Sequence, residues 1–534
     1  MSRAAAFFIA SILFLPFTAP PAGAQTQEKQ LTVEGIYAHG SLLGSQPDQL
    51  TWSPDGKHLT YLDGGELIDI NPGLDQATAK SHVLVSREKM ASLDESGGSE
   101  KDRDHRARYH MASYLWAPDS RHLLFDSNGR LWFYDLKTGT GVQVGDSGAA
   151  SGDDPKFSPD GKSISFLRDH GIRVLRLSGP PTPIDVTPTP NSAKDQELLN
   201  GEVDWVYDEE LDTRSNYFWS PDSRRIAYLQ MNETNVPRYP IEDWIPTHAT
   251  IDEQRYPQAG DPNPDVRVGV VSAKGGRTMW IRRPIHGGDD YIPRFGWADA
   301  KTLWIETLSR NHKRRAIYLA DAGTGESSQV VVMDDDKFIA DNYDVAVQDG
   351  FIVLTDWTSG NNHLYLYSFN TARPLEAPAK LERQLTNGDF DVGDVYRVDT
   401  KNKFVNYASN EGNVLEQQLW QVGFDGVRRQ LSSGAGWHEG SFAPQGSAFT
   451  DKHSARMEPP VVSLCTGEGK CNIFWQSHSL GAYHLREPKQ IEVKAHDGST
   501  LYATVLLPEG AAKASVPLIA NPYGGPGVPE VANS

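Results

Sequence analysis

The 534-residue chain is 38% apolar and 23% charged, with Gly and Pro together at about 15%. That mixture is too apolar and too varied for a disordered or low-complexity chain, and the length suits several domains or one large repeat architecture. A formal net charge of −19 repels phosphate backbones and anionic lipid, which sets nucleic-acid and membrane-surface binding aside and favours a cationic partner.

At the start, Arg3 precedes an apolar run from Ala4 to Leu15 that Pro16 ends, and Ala22-Gly23-Ala24 forms a small-residue cleavage signal before Gln25. The run falls short of the roughly 20 helical residues needed to span a bilayer. The sequence therefore predicts a cleaved secretory signal over 1–24 and a secreted or periplasmic protein, with a retained anchor as the alternative. Residues 25–50 then lead into the first repeat.

The repeat is the most informative feature. Trp52-Ser53-Pro54-Asp55-Gly56 returns as Trp116-Ala117-Pro118-Asp119-Ser120, Phe157-Ser158-Pro159-Asp160-Gly161 and Trp219-Ser220-Pro221-Asp222-Ser223, with a degraded copy at Phe442-Ala443-Pro444-Gln445-Gly446. Each places an aromatic at a strand end, then a turn, then a strand of period two, which is a hairpin with its turn chemistry written in. Weaker echoes at Asp299, Asp349 and Thr400 bring the number of units to eight. Small antiparallel sheets repeated at this spacing predict an all-β fold, an eight-bladed β-propeller over 51–486. The longest intervals (54 to 118, 159 to 221 and 221 to 299) are expected to carry insertions at the blade rims, where function concentrates. The charge-dense stretch 85–110 reads as an exposed arm or a short helix.

Within the third interval, Asp204-Trp205-Val206-Tyr207-Asp208-Glu209-Glu210 sets three carboxylates in a row behind aromatic residues. A solvated acidic loop is one reading. The other is that Glu209 and Glu210 together hold an ammonium group, since two carboxylates can accept all three of its N–H donors. Cys465 and Cys471 are the only cysteines, and in an exported chain they read as a disulfide across a short Gly-containing loop. Two cysteines cannot make a structural zinc site, no HExxH is present, and His105 and His110 read as solvated, so neither metal nor cofactor is expected. From 487 the pattern changes to a hairpin, an apolar strand at Pro517 to Asn521 and a Gly-rich turn around Tyr523, the opening of an α/β domain whose crossover helices the remaining residues do not supply.

The segment 204–210 resembles the double-Glu motif of the dipeptidyl peptidase IV family of serine exopeptidases. Phe218-Trp219-Ser220-Pro221, the run Gln230 to Pro237, and the irregular string Tyr256-Pro257-Gln258-Ala259-Gly260-Asp261-Pro262-Asn263-Pro264 are similar to the same family. The resemblance extends from the repeats to Tyr523. It implies an eight-bladed propeller over an α/β-hydrolase domain beginning near 487, and release of dipeptides from peptide N-termini, usually after Pro or Ala. By motif position, Glu209 and Glu210 would anchor the substrate's amino group, helped by an Arg from the segment ahead of the second repeat. Arg106 fits that spacing best, with Arg103 and Arg108 beside it. Tyr523 would donate to the oxyanion, whereas read alone it is a turn aromatic.

One departure is marked: Gly-x-Ser-x-Gly occurs nowhere in these residues, so no nucleophile elbow is present. The expectation is the propeller portion of a dipeptidyl peptidase IV-like serine exopeptidase plus a truncated start of its hydrolase domain, with peptide substrates as partners and a homodimer open for a full-length protein. A secreted, non-catalytic propeller that binds peptides or a protein partner is the rival.

Overall fold

The computed structural model describes residues 29–37, 42–71, 81–93, 113–127, 130–144, 152–178, 182–188, 197–282, 290–340, 344–483, 485–508, 510, 515–523 and 530–534. Residues 1–24, His105, His110, Arg103, Arg106 and Arg108 lie outside them. Among the described residues, eight consecutive antiparallel sheets of four or five strands run from Asp48–Trp52 to Cys471–Gln476, and each is built from one contiguous stretch of chain. They form an eight-bladed β-propeller. All eight turn positions picked out by the sequence connect the first strand of a blade, or its second part in blade 4, to the next one.

The blades have no common centre of packing. Eight apolar clusters lie instead at the eight junctions between neighbouring blades. Period-two alternation therefore sorts side chains between two junctions rather than between core and water. In blade 2, Leu123 and Phe125 pack toward blade 1 while Leu124 packs toward blade 3. The middle strand His122–Ser127 is thus buried on both faces.

The repeat motif explains itself in this geometry. Ser53, Ser158 and Ser220 are buried, and each hydroxyl donates to the Asp two residues on, at 2.7, 2.7 and 2.6 Å. The same Asp accepts a backbone N–H from the far side of the turn. The Trp of the motif reaches the preceding blade: the indole N–H groups of Trp52, Trp116, Trp219 and Trp297 donate to the Ser441 carbonyl, Thr60 Oγ1, Ser165 Oγ and the Phe218 carbonyl. Replacing Trp219 with Phe keeps most of the ring but removes the 2.7 Å bond to Ser165. The expected cost is about 1–2 kcal/mol, the scale of one buried hydrogen bond, read as a lower midpoint of urea unfolding.

Blade 8 carries the Cys465–Cys471 disulfide, which joins facing residues of its last two strands. The charged stretch after blade 1 contributes the helix Arg87–Leu93, whose Leu93 is buried; residues 94–112 lie outside the described set. After the propeller, Lys489–Lys494 and Thr500–Val505 pair as the expected hairpin. The apolar stretch Pro517 to Asn521, expected as a buried strand, is not one. Leu518 and Ile519 are 86% and 92% exposed, and no described strand lies alongside to complete a ladder of backbone hydrogen bonds.

Candidate functional site

Blade 4 departs from the pattern of the other seven. Its first strand is split into Leu198–Asn200 and Tyr217–Trp219, which pair with successive parts of Arg225–Asn232. The excursion between them, 201–216, carries the acidic motif. Between Arg225–Asn232 and the next blade strand, Asp265–Ser272, the chain also projects a two-stranded hairpin, Arg238–Asp243 with Thr250–Arg255. The excursion leaves opposite Leu229, midway along Arg225–Asn232, and the hairpin follows from the Asn232 end of that strand.

Val206–Glu210 is a single π-helical turn. Its inward face is fixed by Val206, Tyr207 and Asp208, all buried, which leaves Glu209 and Glu210 exposed. The Tyr207 hydroxyl accepts the Ile292 N–H at 2.9 Å, and Asp208 takes Arg214 at 2.6 Å. From blade 5, Arg294 donates to the Leu211 and Asp212 carbonyls and to Thr213 Oγ1, at 2.8, 3.1 and 2.9 Å. The second half of the excursion is thereby tied to the neighbouring blade. Burial opposes the charge on Arg214, but Asp208 and Asp212 outweigh it and hold its pKa above the ordinary guanidinium value.

At the base of the turn, Asp204 accepts the Tyr207 N–H at 2.9 Å. Burial pushes its carboxyl up to about 6. Glu233, where the chain leaves Arg225–Asn232, is raised to about 8 by burial and then by the like charges of Asp204 and Glu202. The exposed glutamate pair therefore stands above a root of buried carboxyls that take up protons near neutrality.

Glu210 opens onto a pocket of about 310 Å³ walled by Trp205, Tyr256, Tyr291, His312 and Arg310. The irregular string 256–264 is part of this wall. Tyr256 lies tilted against Trp205 with ring centroids 4.2 Å apart, and Asn263 presents a buried Nδ2 with no hydrogen-bond partner in the structure. Arg310 is held by the Asp261 carbonyl at 2.6 Å. An aromatic-walled pocket with a carboxylate at its edge suits an organic cation such as a peptide's ammonium group.

The two sequence motifs thus meet at one place. Tyr291, Arg310 and His312 of blade 5 join them and carry no signal in the sequence, because only the order of blades around the ring brings them there. Glu209 is exposed beside Glu210 but does not line the pocket. Tyr523 is 58% exposed and is not part of the wall either. Arg106 lies outside the described residues. Among those described, no cluster of His, Cys, Asp or Glu could hold a metal ion, and no helix is long and apolar enough to cross a membrane.

The chain resembles the crystal structure of Porphyromonas gingivalis dipeptidyl peptidase 4 with a TM-score of 0.73 and 21% identity, over 90% of this chain and 67% of that one. It is also similar to dipeptidyl peptidase 4 of Trichophyton rubrum and of Trichophyton equinum, each 24% identical over 511 residues. These alignments cover 90% of this chain and 62% of each relative, so the chain spans about three-fifths of their length. The family described as dipeptidyl peptidase IV N-terminal region matches residues 110–460, and the chain belongs to that family.

Proposed function

We propose that this chain is the substrate-recognising portion of an exported serine exopeptidase that releases dipeptides from peptide N-termini after Pro or Ala. The observation that carries the proposal is the exposed Glu209–Glu210 pair, with Glu210 at the mouth of a pocket built from the family's second motif. In this reading the two carboxylates hold the substrate's ammonium group and the aromatic walls face the first residue. An extended chain advances about 3.3–3.6 Å per residue, so an anchored amino group sets the carbonyl of the second residue at a fixed reach. Cleavage position then follows from counting rather than from side-chain fit. Tyr523 is assigned as a hydroxyl donor to the oxyanion, and Arg106 as a further contact to the bound N-terminus. The nucleophile and its base are supplied by sequence outside these 534 residues.

The hairpin arm supports a homodimer in the full-length enzyme. It is exposed along most of its length, and Trp244 and Ile245 at its tip are 83% and 93% exposed.

The test compares hydrolysis of an Ala-Pro chromogenic amide by this chain and by a product extended through the downstream reading frame, alongside calorimetric binding of Ala-Pro-Ala-amide with a free or an acetylated N-terminus. Binding confined to the free amine, with hydrolysis in the extended protein, is the expected result. Equal binding of both peptides overturns the anchor. Binding of the free amine without hydrolysis in either protein favours the non-catalytic propeller.

A further inference from the structure

The excursion that carries Glu209 and Glu210 is fastened to blade 5 at its far end, but its near end is fastened to blade 3. The near-end contact runs through His170, while at the far end Ser215 also donates to Asp154 of blade 3 at 2.7 Å. Asp169 and His170 form a two-residue turn between the paired residues Arg168 and Gly171. Both have positive φ, 51° and 58°, the conformation of the tight hairpin turns that match strand twist. The direction of the imidazole is therefore set by a rigid turn. The His170 carbonyl accepts two hydrogen bonds from Asn200, one from its N–H and one from its side chain, each 3.1 Å. Asn200 is held in turn by Gln230 at 2.7 Å, and Gln230 by Arg267, which lies over Trp280.

Beyond Asn200 the chain bends at Gly201. Its φ is +81°, and a Cβ there would come within 3.0 Å of Ile172. The next residue, Glu202, places its carboxylate 2.7 Å from His170 Nδ1. The Glu202 carbonyl accepts Asn216 Nδ2 at 3.2 Å, so the two ends of the excursion are tied to one another at the same residue. Two residues on, Asp204 supports the turn that carries the glutamate pair.

We propose that His170 is a positioning residue for the Glu209–Glu210 turn, acting through its ion pair with Glu202 and coupling the grip on a substrate amino group to the protonation of one imidazole. The inference rests on the amino-terminus reading given above. Glu202 of the excursion contacts the imidazole, and the further charges that act on it are Glu233 from the end of Arg225–Asn232 and Asp169 from its own turn, itself paired with Arg173. All three are acidic. The hydrogen bond to Glu202 is the largest influence, and together with these charges it outweighs burial and raises the imidazole above its ordinary 6.5.

The sign follows from that direction. A raised imidazole contributes stability fully below its unfolded value and loses it as pH rises through the folded value. Over the same range the buried Asp204 and Glu233, raised to about 6 and about 8, lose their protons. The root of the excursion loses one positive charge and gains two negative ones, so it loosens as pH climbs through neutrality.

The test uses His170→Asn, since Asn accepts the positive-φ turn, together with Glu202→Gln, which keeps the shape of the contact and removes its charge. Amide exchange of residues 206–211, corrected for the intrinsic pH dependence of exchange, is measured from pH 5.5 to 8.5 in the unliganded protein. Binding of Ala-Pro-Ala-amide with free and acetylated N-termini is measured over the same range. In the wild type, corrected exchange is expected to rise across the imidazole titration. Each variant should exchange about threefold to tenfold faster at pH 6 and bind the free-amine peptide more weakly by a similar factor, the scale of a partly exposed ion pair with rigid partners. The double variant should be no worse than either single one.

Wild-type discrimination between the two peptides, with both single variants matching wild type in exchange and affinity at every pH, overturns the positioning role and leaves the anchor standing. A wild type that does not discriminate overturns the anchor and the binding half of this proposal, whereas the exchange result still decides the clasp.

Discussion

Changing Glu209 and Glu210 together to Ala is expected to weaken binding of a free-amine peptide at least about a hundredfold, because a hydrogen bond to a charged group contributes about 1.5–3 kcal/mol and the pair offers more than one. Solvent exposure of both side chains holds the loss toward the lower end of that scale. Binding of the acetylated peptide, expected to be weak in the wild type as well, should not change. The two single variants should differ, since Glu210 borders the pocket and Glu209 does not. Glu210→Ala should carry the greater part of the loss. Neither change should alter the unfolding midpoint measurably, because the turn is held by Tyr207, Asp208 and Arg294 rather than by the exposed pair. Loss of binding with a shifted midpoint would mean that the glutamates act by holding the turn together.

The largest effect on stability is expected at a buried ion pair of blade 5, on the strand whose Glu306 N–H donates to the Arg294 carbonyl. Arg315 and Glu306 in blade 5 are an ion pair with almost no exposure, and Arg315 also donates to the Thr355 carbonyl in blade 6. Arg315→Met should cost about 3–5 kcal/mol, because it strands a buried carboxylate without its closest cation. Burial already pushes the Glu306 carboxyl upward, with Arg315 as the main influence pulling it back. The double change Arg315→Met with Glu306→Leu should recover most of the loss, since a buried pair replaced by apolar residues of similar volume is often neutral. Chemical unfolding of the three variants checks this, and a double variant as unstable as Arg315→Met would show that the Thr355 bond dominates.

The architecture was legible because its signal is local. The Ser-Pro-Asp-Gly turn closes within six residues, using hydroxyl-to-carboxylate bonds inside the motif itself, and even Phe442-Ala443-Pro444-Gln445-Gly446 sits at the equivalent turn of blade 8. The candidate site was only half legible for the opposite reason. The acidic motif and the 256–264 string are contiguous stretches with unusual composition. Tyr291, Arg310 and His312 arrive from blade 5, and the splitting of the first strand of blade 4 leaves no mark in a pattern of period two. The apolar stretch 517–521 has the composition of a strand but forms none here, because a strand requires a partner alongside and no described strand supplies it.

Trp52 bonds to Ser441, and Gln445 to the Pro54 carbonyl, across 389 and 391 residues. Together with the apolar cluster of blades 1 and 8, these contacts are the seam of the ring, since among the described residues no blade borrows a strand from the other end of the chain. Every other junction joins segments made consecutively, so each blade can settle on its predecessor as it leaves the ribosome. The seam alone must wait for the last blade. Joining ends about 390 residues apart carries a chain-closure term of about 5 kcal/mol in a fully unfolded polymer, growing only with the logarithm of length. Seven blades already stacked into an arc remove most of that term, because they bring the two edges near one another before the seam closes. The order of synthesis is thus also the order in which the ring becomes able to close.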